Sequence, residues 1–297
     1  MRITNNMLSQ NLLRNLGAAQ GRLDYIQSKM SSGNKISRPS DDPVGIENAL
    51  RIKSSISAVE QWKSNANEAL AYMDTTDSTL GDMTSMLHRV RELAVQGANG
   101  TLSVEDKEKV ALEVDQLADQ FKLMANTKIG SKYIFAGTNT NNEPLPSSAT
   151  TWQGNDQNVS FEVGSSLQLP ITVKGTELFQ IQADGSSAFF DTLSNLSAAL
   201  RDPTKAAEVT GYIGEIEGLT DNVVEQRANL GARVNRMEAL RDQLDSTSLN
   251  LTENLSSLMD ADIAQTIIEF KNQENVYRAA LSVGAQIIQP SLVDFMR

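Results

Sequence analysis

Two amphipathic helical segments at the extreme ends of the chain, residues 1–32 and 261–289, constrain its fold more than any other feature. In the first, Leu12, Leu16, Ala19, Leu23, Ile26 and Met30 fall at alternating steps of four and three, the spacing that lays one apolar seam along a helix. In the second, Ile263, Ile267, Phe270, Tyr277, Leu281, Gly284 and Ile288 follow a similar pattern, interrupted by Glu274. Chain ends are ordinarily polar and frayed. Ends that carry apolar seams with no evident partner point to assembly rather than catalysis.

Each seam adjoins a much longer heptad run. Gly33 supplies the left-handed residue that commonly ends a helix. After the loop SGNKISRPSDDPVG, Asp42-Pro43 reads as a helix start: an acid at the N-cap, then proline at the first helical position, where its missing N–H costs nothing. From there the steps of four and three run through Val59, Trp62, Ala66, Ala69, Met73, Thr76, Leu80, Met83, Leu87, Val90 and Ala94. This predicts a helix of about 50 residues, about 75 Å long. A turn at Gly97, Asn99 and Gly100 and a start signal at Ser103 with Glu105 and Asp106 lead into a helix on Val110, Val114, Leu117, Phe121 and Met124. So short a turn makes the two helices antiparallel.

After Asn126 the period changes to two. Tyr133, Ile134 and Phe135 between Gly130 and Gly137 predict a buried strand, and TNTNNEPLPSSAT a loop. Val159, Phe161 and Val163 alternate with polar residues, as do Leu167, Leu169, Ile171 and Val173; Phe179 and Ile181 predict a further strand. Roughly 50 residues of short strands bury only a thin core, so this stretch reads as a small β insertion on a helical rod. Helical spacing returns at Phe189, Leu193, Leu196 and Leu200. Asp202-Pro203 repeats the start signal, and a seam continues through Val209, Ile213, Ile216, Val223, Leu230, Val234, Met237, Leu244, Leu251, Leu255 and Leu258. Gly211, Gly214, Gly218 and Gly231 lie inside it at up to about 1 kcal/mol each against alanine, which predicts a bend or a late start in its first half. Thr76, Arg227, Arg241 and Ser248 put polar groups at seam positions, weakening packing while fixing register.

The order is a near mirror image: short sticky helix, long rod helix, β insertion, long rod helix, short sticky helix. The fold class is therefore mainly α with a small β insertion, an elongated antiparallel helical bundle or coiled-coil rod formed by both chain ends. The expected division is an inner coiled-coil domain from residues 1–44 and 259–297, a helical rod from 45–137 and 189–258, and a small outer β domain at 138–188.

Composition and motifs exclude several function classes. A net charge of −11 with no clustered basic face argues against nucleic acid as a partner. There are no cysteines, so disulfides, thiolate metal sites and a cysteine nucleophile are unavailable. No stretch has the apolar length of a membrane span, and the first fifteen residues lack the apolar core of a secretory leader. The single histidine, His88, sits beside the seam residue Leu87 and reads as a surface residue, with no second ligand or triad partner. Asp41-Asp42 reads as a helix-capping pair rather than a cation site. No P-loop, GxGxxG, HExxH or GxSxG pattern is present. The Asn-x-Ser/Thr triplets at Asn99, Asn158, Asn195, Asn250 and Asn254 read as chance, and Gly17 with Gly21, amid Asn15, Gln20 and Arg22, as a close helix contact in water. No enzyme activity, cofactor, metal or catalytic residue is expected.

The stretches RLDYIQSKMSSGNKISRPSDDPVG at 22–45, SNANEAL at 64–70, RVRELAVQGANGTLS at 89–103, RANLGARVNRME at 227–238 and DADIAQTIIEF at 260–270 resemble the flagellin-type axial proteins of the bacterial flagellum. Pro39 and Pro43, GSKYIFAGT at 130–138 and the tail QPSLVDF at 289–295 are most similar to the junction-forming members of that family rather than to filament flagellin. The resemblance covers roughly residues 1–138 and 189–297, and the β insertion carries no part of it.

The resemblance implies a flagellin-like fold and a structural role at the junction of hook and filament. It also implies a homo-oligomeric ring of neighbouring copies, with the first hook-associated junction protein and flagellin as further partners. Export would run through the flagellar type III apparatus to an extracellular location without a cleaved signal, helped by a chaperone that masks the segment from Ile263 to Ile288. The subunit-assembly interface is then expected at Leu12, Leu16, Leu23, Ile26, Met30, Ile263, Ile267, Phe270, Tyr277, Leu281 and Ile288. One seam is too little to order 30 residues alone, so residues 1–32 and 261–297 are expected to be largely disordered in the isolated chain and to fold together when neighbouring subunits cover them. The alternatives are a short filament flagellin and a non-flagellar coiled-coil binding module.

Overall fold

Asp42 starts the longest helix as its place before proline dictates: its Oδ1 accepts the N–H groups of Val44 (3.1 Å) and Gly45 (2.9 Å). In the computed structural model, which describes residues 5–99, 102–146 and 151–288, that helix is α2 (Pro43–Ala98). It follows α1 (Asn5–Ser32) and leads to α3 (Val104–Ala125), with Ser103 capping through its hydroxyl. Two antiparallel hairpins come next: β1 (Lys128–Ile129) with β2 (Lys132–Tyr133), and β3 (Ser160–Gly164) with β4 (Leu167–Pro170). The single turn α4 (Gly175–Leu178) and the helices α5 (Ala188–Arg201), α6 (Ala206–Met259) and α7 (Ile263–Ile288) complete the order. The fold is mainly α with two small antiparallel sheets, as the heptad runs predict.

Contacts divide the chain into two units, one of Met1–Ala58 with Thr247–Arg297 and one of Val59–Ser246. In the second unit every predicted α2 seam residue except the half-buried Trp62 lies in the interior, from Val59 through Ala66, Ala69, Met73, Thr76, Leu80, Met83, Leu87 and Val90 to Ala94. On α6 the buried residues Val209, Ile216, Val223, Leu230, Met237 and Leu244 recur every seven positions. The intervening steps are occupied by polar or half-buried residues, among them Thr220, Arg227, Val234 and Arg241. Three ion pairs join α2 to α6: Lys63–Asp245, Asp77–Arg227 and Arg91–Glu217. Their order, one number rising as the other falls, makes the two helices antiparallel. α6 does not start late: it runs as one continuous helix from Ala206 past Gly211, Gly214, Gly218 and Gly231, each with nothing within 4 Å of a Cβ placed on it.

The hairpins and the loops beside them bury their apolar residues in the same cluster as the helices. Ile134, Phe135, Val163, Leu169, Ile171 and Val173 join Phe121 of α3 and Leu193 of α5 in one continuous core. At its centre Phe179 is fully buried, with ring centroids of Phe135, Trp152, Phe189 and Phe190 at 5.3–5.8 Å. The buried Tyr72 hydroxyl, whose pKa burial pushes up, donates to the Ile134 carbonyl at 2.7 Å and ties α2 to this region.

Two predicted strands are corrected. Of Tyr133, Ile134 and Phe135 only Tyr133 is strand, because the chain leaves the two-residue β1–β2 ladder at once. Phe179 and Ile181 do not form a strand. The Phe179 N–H closes the α4 turn on the Gly175 carbonyl (2.9 Å), Gln180 takes a positive φ of 50°, and Ile181 makes only an isolated bridge to Ser187.

Candidate assembly interface

α1 ends where Gly33, at φ 71°, returns its N–H to the Lys29 carbonyl at 2.9 Å. The next residues strap the two chain ends together. Lys35 N–H donates to the Met259 carbonyl (2.5 Å), Ala261 N–H to the Gly33 carbonyl (2.8 Å), and Asn34 forms an antiparallel bridge with Asp260. Asp262 then starts α7: its Oδ1 accepts Gln265 N–H (3.1 Å), and its carbonyl accepts the Thr266 N–H (2.9 Å) and hydroxyl (2.7 Å). The Asp41-Asp42 pair is committed to backbone as expected, Asp41 Oδ2 accepting from Ser37 (3.2 Å) and Arg38 (3.0 Å).

From that strap α1 and α7 pack against each other. Gln273 Nε2 donates to the Ala19 carbonyl at 3.2 Å, and Gly284 lies under Leu12, a Cβ there standing 2.9 Å from Leu12 Cδ2. With Asn34 opposite Asp260, these points define an antiparallel pair. On α1 the inner face is the predicted one: Ala19 is buried, Leu12, Leu16, Leu23 and Ile26 are half-buried, and Met30 lies at the exposed margin.

On α7 the inner face is Thr266, Phe270, Gln273, Tyr277, Ala280 and Gly284, all buried or half-buried. They keep the four-three spacing, but Thr266, Gln273 and Ala280 are small or polar, so a search for hydrophobic side chains passes over those three; the spacing alone, applied to Ala, Thr and Gln, finds them. Of the predicted α7 seam Phe270, Tyr277 and Gly284 face α1. Ile263, Ile267 and Leu281 are 43–45 % exposed on one flank, while Val276 and Val283 are exposed on the other. The Ile288 side chain and the QPSLVDF tail lie outside the described residues. Glu274, which breaks the predicted seam, sits on the Ile267 flank between Lys271 (3.0 Å) and Arg278 (2.6 Å), and the Lys271 hydrogen bond with the Arg278 charge holds its carboxyl below the usual range.

The pair therefore buries one seam and leaves apolar flanks on α7 open. Gly17 and Gly21 on α1 likewise have nothing within 4 Å of a Cβ placed on them, so their close helix contact is not made among the described residues. Among the described residues no three acidic or histidine side chains converge on a metal-sized site, and no helix is long and apolar enough to cross a membrane. His88 is exposed on α2.

In the second unit Asp77 carries the clearest electrostatic signature. The Arg227 guanidinium donates Nε to Oδ1 (2.8 Å) and Nη2 to Oδ2 (3.0 Å), holding the carboxyl below its ordinary value. A depressed aspartate contributes stability above its unfolded pKa of about 3.9 and loses it as pH falls through the folded value. Asp77→Asn is thus expected to lower stability at pH 7 by up to about 1 kcal/mol, the pair being partly exposed. Urea midpoints of variant and wild type should draw together as pH falls below the ordinary carboxylate range, and a gap that stays constant with pH would show that the pair's charge is not the cause.

Residues 3–140 match the bacterial flagellin N-terminal helical region, and residues 213–296 the bacterial flagellin C-terminal helical region. The chain is 27% identical over 300 residues to flagellar hook-associated protein 3 of Escherichia coli K12, covering 94% of this chain and 95% of that one. It is 28% identical over 306 residues to flagellin of Bacillus subtilis 168, covering 97% of each. Its fold resembles a putative flagellar hook-associated protein from Vibrio parahaemolyticus, with a TM-score of 0.68 at 21% identity over 74% of this chain and 100% of that one. It also resembles flagellar hook-associated protein 3 from Legionella pneumophila, with a TM-score of 0.64 at 18% identity over 70% and 98%.

Proposed function

Since this chain belongs to the bacterial flagellin family, we propose that it is a structural component of the flagellum that forms a ring of copies at the junction between hook and filament. The observation that carries this reading is the end-to-end match to a hook-associated protein 3, in a fold of the same kind. The site agrees with it. A terminal helix pair that buries one seam and leaves Ile263, Ile267 and Leu281 exposed has surface left for neighbours.

On this reading residues 1–44 and 259–297 form the inner layer of the ring, 45–137 with 189–258 the rod, and 138–188 the outer face. Leu12, Leu16, Leu23, Ile26, Phe270 and Tyr277 hold the pair together, and Met30, Ile263, Ile267, Leu281 and Ile288 meet adjacent subunits. The first hook-associated protein and flagellin bind the two ends of the ring. The protein reaches its extracellular place by the flagellar type III route, with a chaperone covering the α7 segment until assembly.

Electron microscopy of cells lacking this protein tests the role. Hooks without filaments, with flagellin monomers in the medium, are the expected result; intact filaments overturn it. The similarity to Bacillus subtilis flagellin favours a second reading, a short filament flagellin. Purified protein that extends into long filaments from seeds would select that reading.

A further inference from the structure

Charge is distributed unevenly between the two units. Residues 59–246 carry twenty-seven Asp and Glu against fifteen Lys and Arg, whereas in the other unit residues 1–58 carry four against eight and residues 247–297 six against three. The negative charge of the chain thus belongs to the second unit, the first is close to neutral, and within it the N-terminal arm is basic. Within that arm Arg22, Lys35, Arg38, Arg51 and Lys53 are exposed, and among the described residues none is within ion-pair distance of a carboxylate. Two of the arm's four acids, Asp41 and Asp42, are spent on backbone N–H groups.

The first turns of α2 give these cations a surface. At 100° per residue Gly45, Ala49, Ile52 and Ile56 share one side of the helix, all buried or half-buried. The opposite side presents Val44, 68 % exposed, and Leu50, 62 % exposed, with Glu47 and Arg51 between them and Lys53 at the edge. Exposed apolar side chains with an arginine among them have the composition of a protein interface rather than of ordinary solvated surface.

We infer that this surface of α2, Val44, Leu50, Arg51 and Lys53, with the exposed Lys35 and Arg38 of the loop before it, docks against the acidic 59–246 unit of a second copy of the chain. Charge complementarity selects that occupant: in a homo-oligomer the abundant unpaired carboxylates nearest to hand are those of the neighbouring copy. Opposed patches of this kind orient the encounter and set register, and they respond to salt. The inference rests on the reading that copies assemble side by side and adds a surface distinct from the α1/α7 seam.

Zero-length carbodiimide coupling reads such contacts directly, because it joins a lysine amine to a carboxylate only at ion-pair distance. Full-length protein with natural-abundance nitrogen and with ¹⁵N, mixed and bound to isolated hooks, is cross-linked and analysed by mass spectrometry. The expected result is mixed-isotope links from Lys35 or Lys53 to carboxylates in residues 59–246, falling about tenfold in 0.5 M NaCl, as contacts between complementary charged patches do. A Lys35→Gln/Arg38→Gln/Arg51→Gln variant, checked for native circular dichroism, should show the same fall at Lys53. Copies that join hooks without such links, or links indifferent to salt and to the variant, overturn the docking surface alone. Copies that never join hooks count against the junction reading as well.

Discussion

Replacing Phe179 by alanine is expected to destabilise the second unit by about 3–5 kcal/mol, the range for removing a fully buried aromatic ring. Phe179 has no exposed surface, and four rings close on it: Phe135, Trp152, Phe189 and Phe190. The rings around it come from α5 and from the segment between β2 and β3, so no single helix can slide to fill the space. Gly175 adds to the constraint, since a Cβ there would stand 2.4 Å from the Phe135 carbonyl oxygen. Urea unfolding of the full chain followed by tryptophan fluorescence measures the loss. A change under about 1 kcal/mol, no more than an average substitution costs, would mean that this core is looser than its geometry states.

The second large effect separates folding from assembly on α7. Phe270→Asp puts a charge into the face against α1 and is expected to open the helix pair, removing amide protection throughout α1 and α7 in hydrogen exchange. Ile267→Asp changes a side chain 44 % exposed on the flank. It is expected to leave that protection within experimental scatter yet to reduce binding to isolated hooks about a hundredfold, the cost of a central interface residue worth near 3 kcal/mol. Both proteins binding hooks like wild type would remove the terminal helices from the interface. Loss of protection in Ile267→Asp would instead make that residue part of the intrachain pair.

What was legible in the sequence was whatever depends on large apolar side chains at fixed spacing. Val59 to Ala94 lie in the interior because a seam that never leaves the four-three alternation has one way to face a partner helix. Asp42, Ser103 and Gly33 were readable because caps are local chemistry. Half of the inner face of α7 was not, since Thr266, Gln273 and Ala280 are small or polar and gain their place from close approach to α1. Hydrophobic spacing instead picked Ile263, Ile267 and Leu281, a different flank of the same helix. The error at Phe179 has the same origin. Alternation with Ile181 suggested a strand, but burial of Phe179 was secured by a one-turn helix and a left-handed Gln180, neither of which hydrophobic pattern records.

The ion pairs between α2 and α6 bear on a difficulty that the heptads create. An apolar residue every seventh position makes α6 almost equally content one or two repeats away from its place, so burial alone is degenerate in register. Along α2 the paired residues Lys63, Asp77 and Arg91 stand fourteen apart with signs plus, minus, plus; α6 answers with Asp245, Arg227 and Glu217, minus, plus, minus. A slip of two heptads in one direction brings Lys63 to within about a helical turn of Arg227 and Asp77 to within about a turn of Glu217. In the other it does the same for Asp77 with Asp245 and Arg91 with Arg227. Each pair is individually weak, yet three attractions lost and two repulsions gained amount to a penalty on the order of 2 kcal/mol. The alternating signs act as a parity check on a repetitive code, rejecting misaligned helices that hydrophobicity by itself accepts.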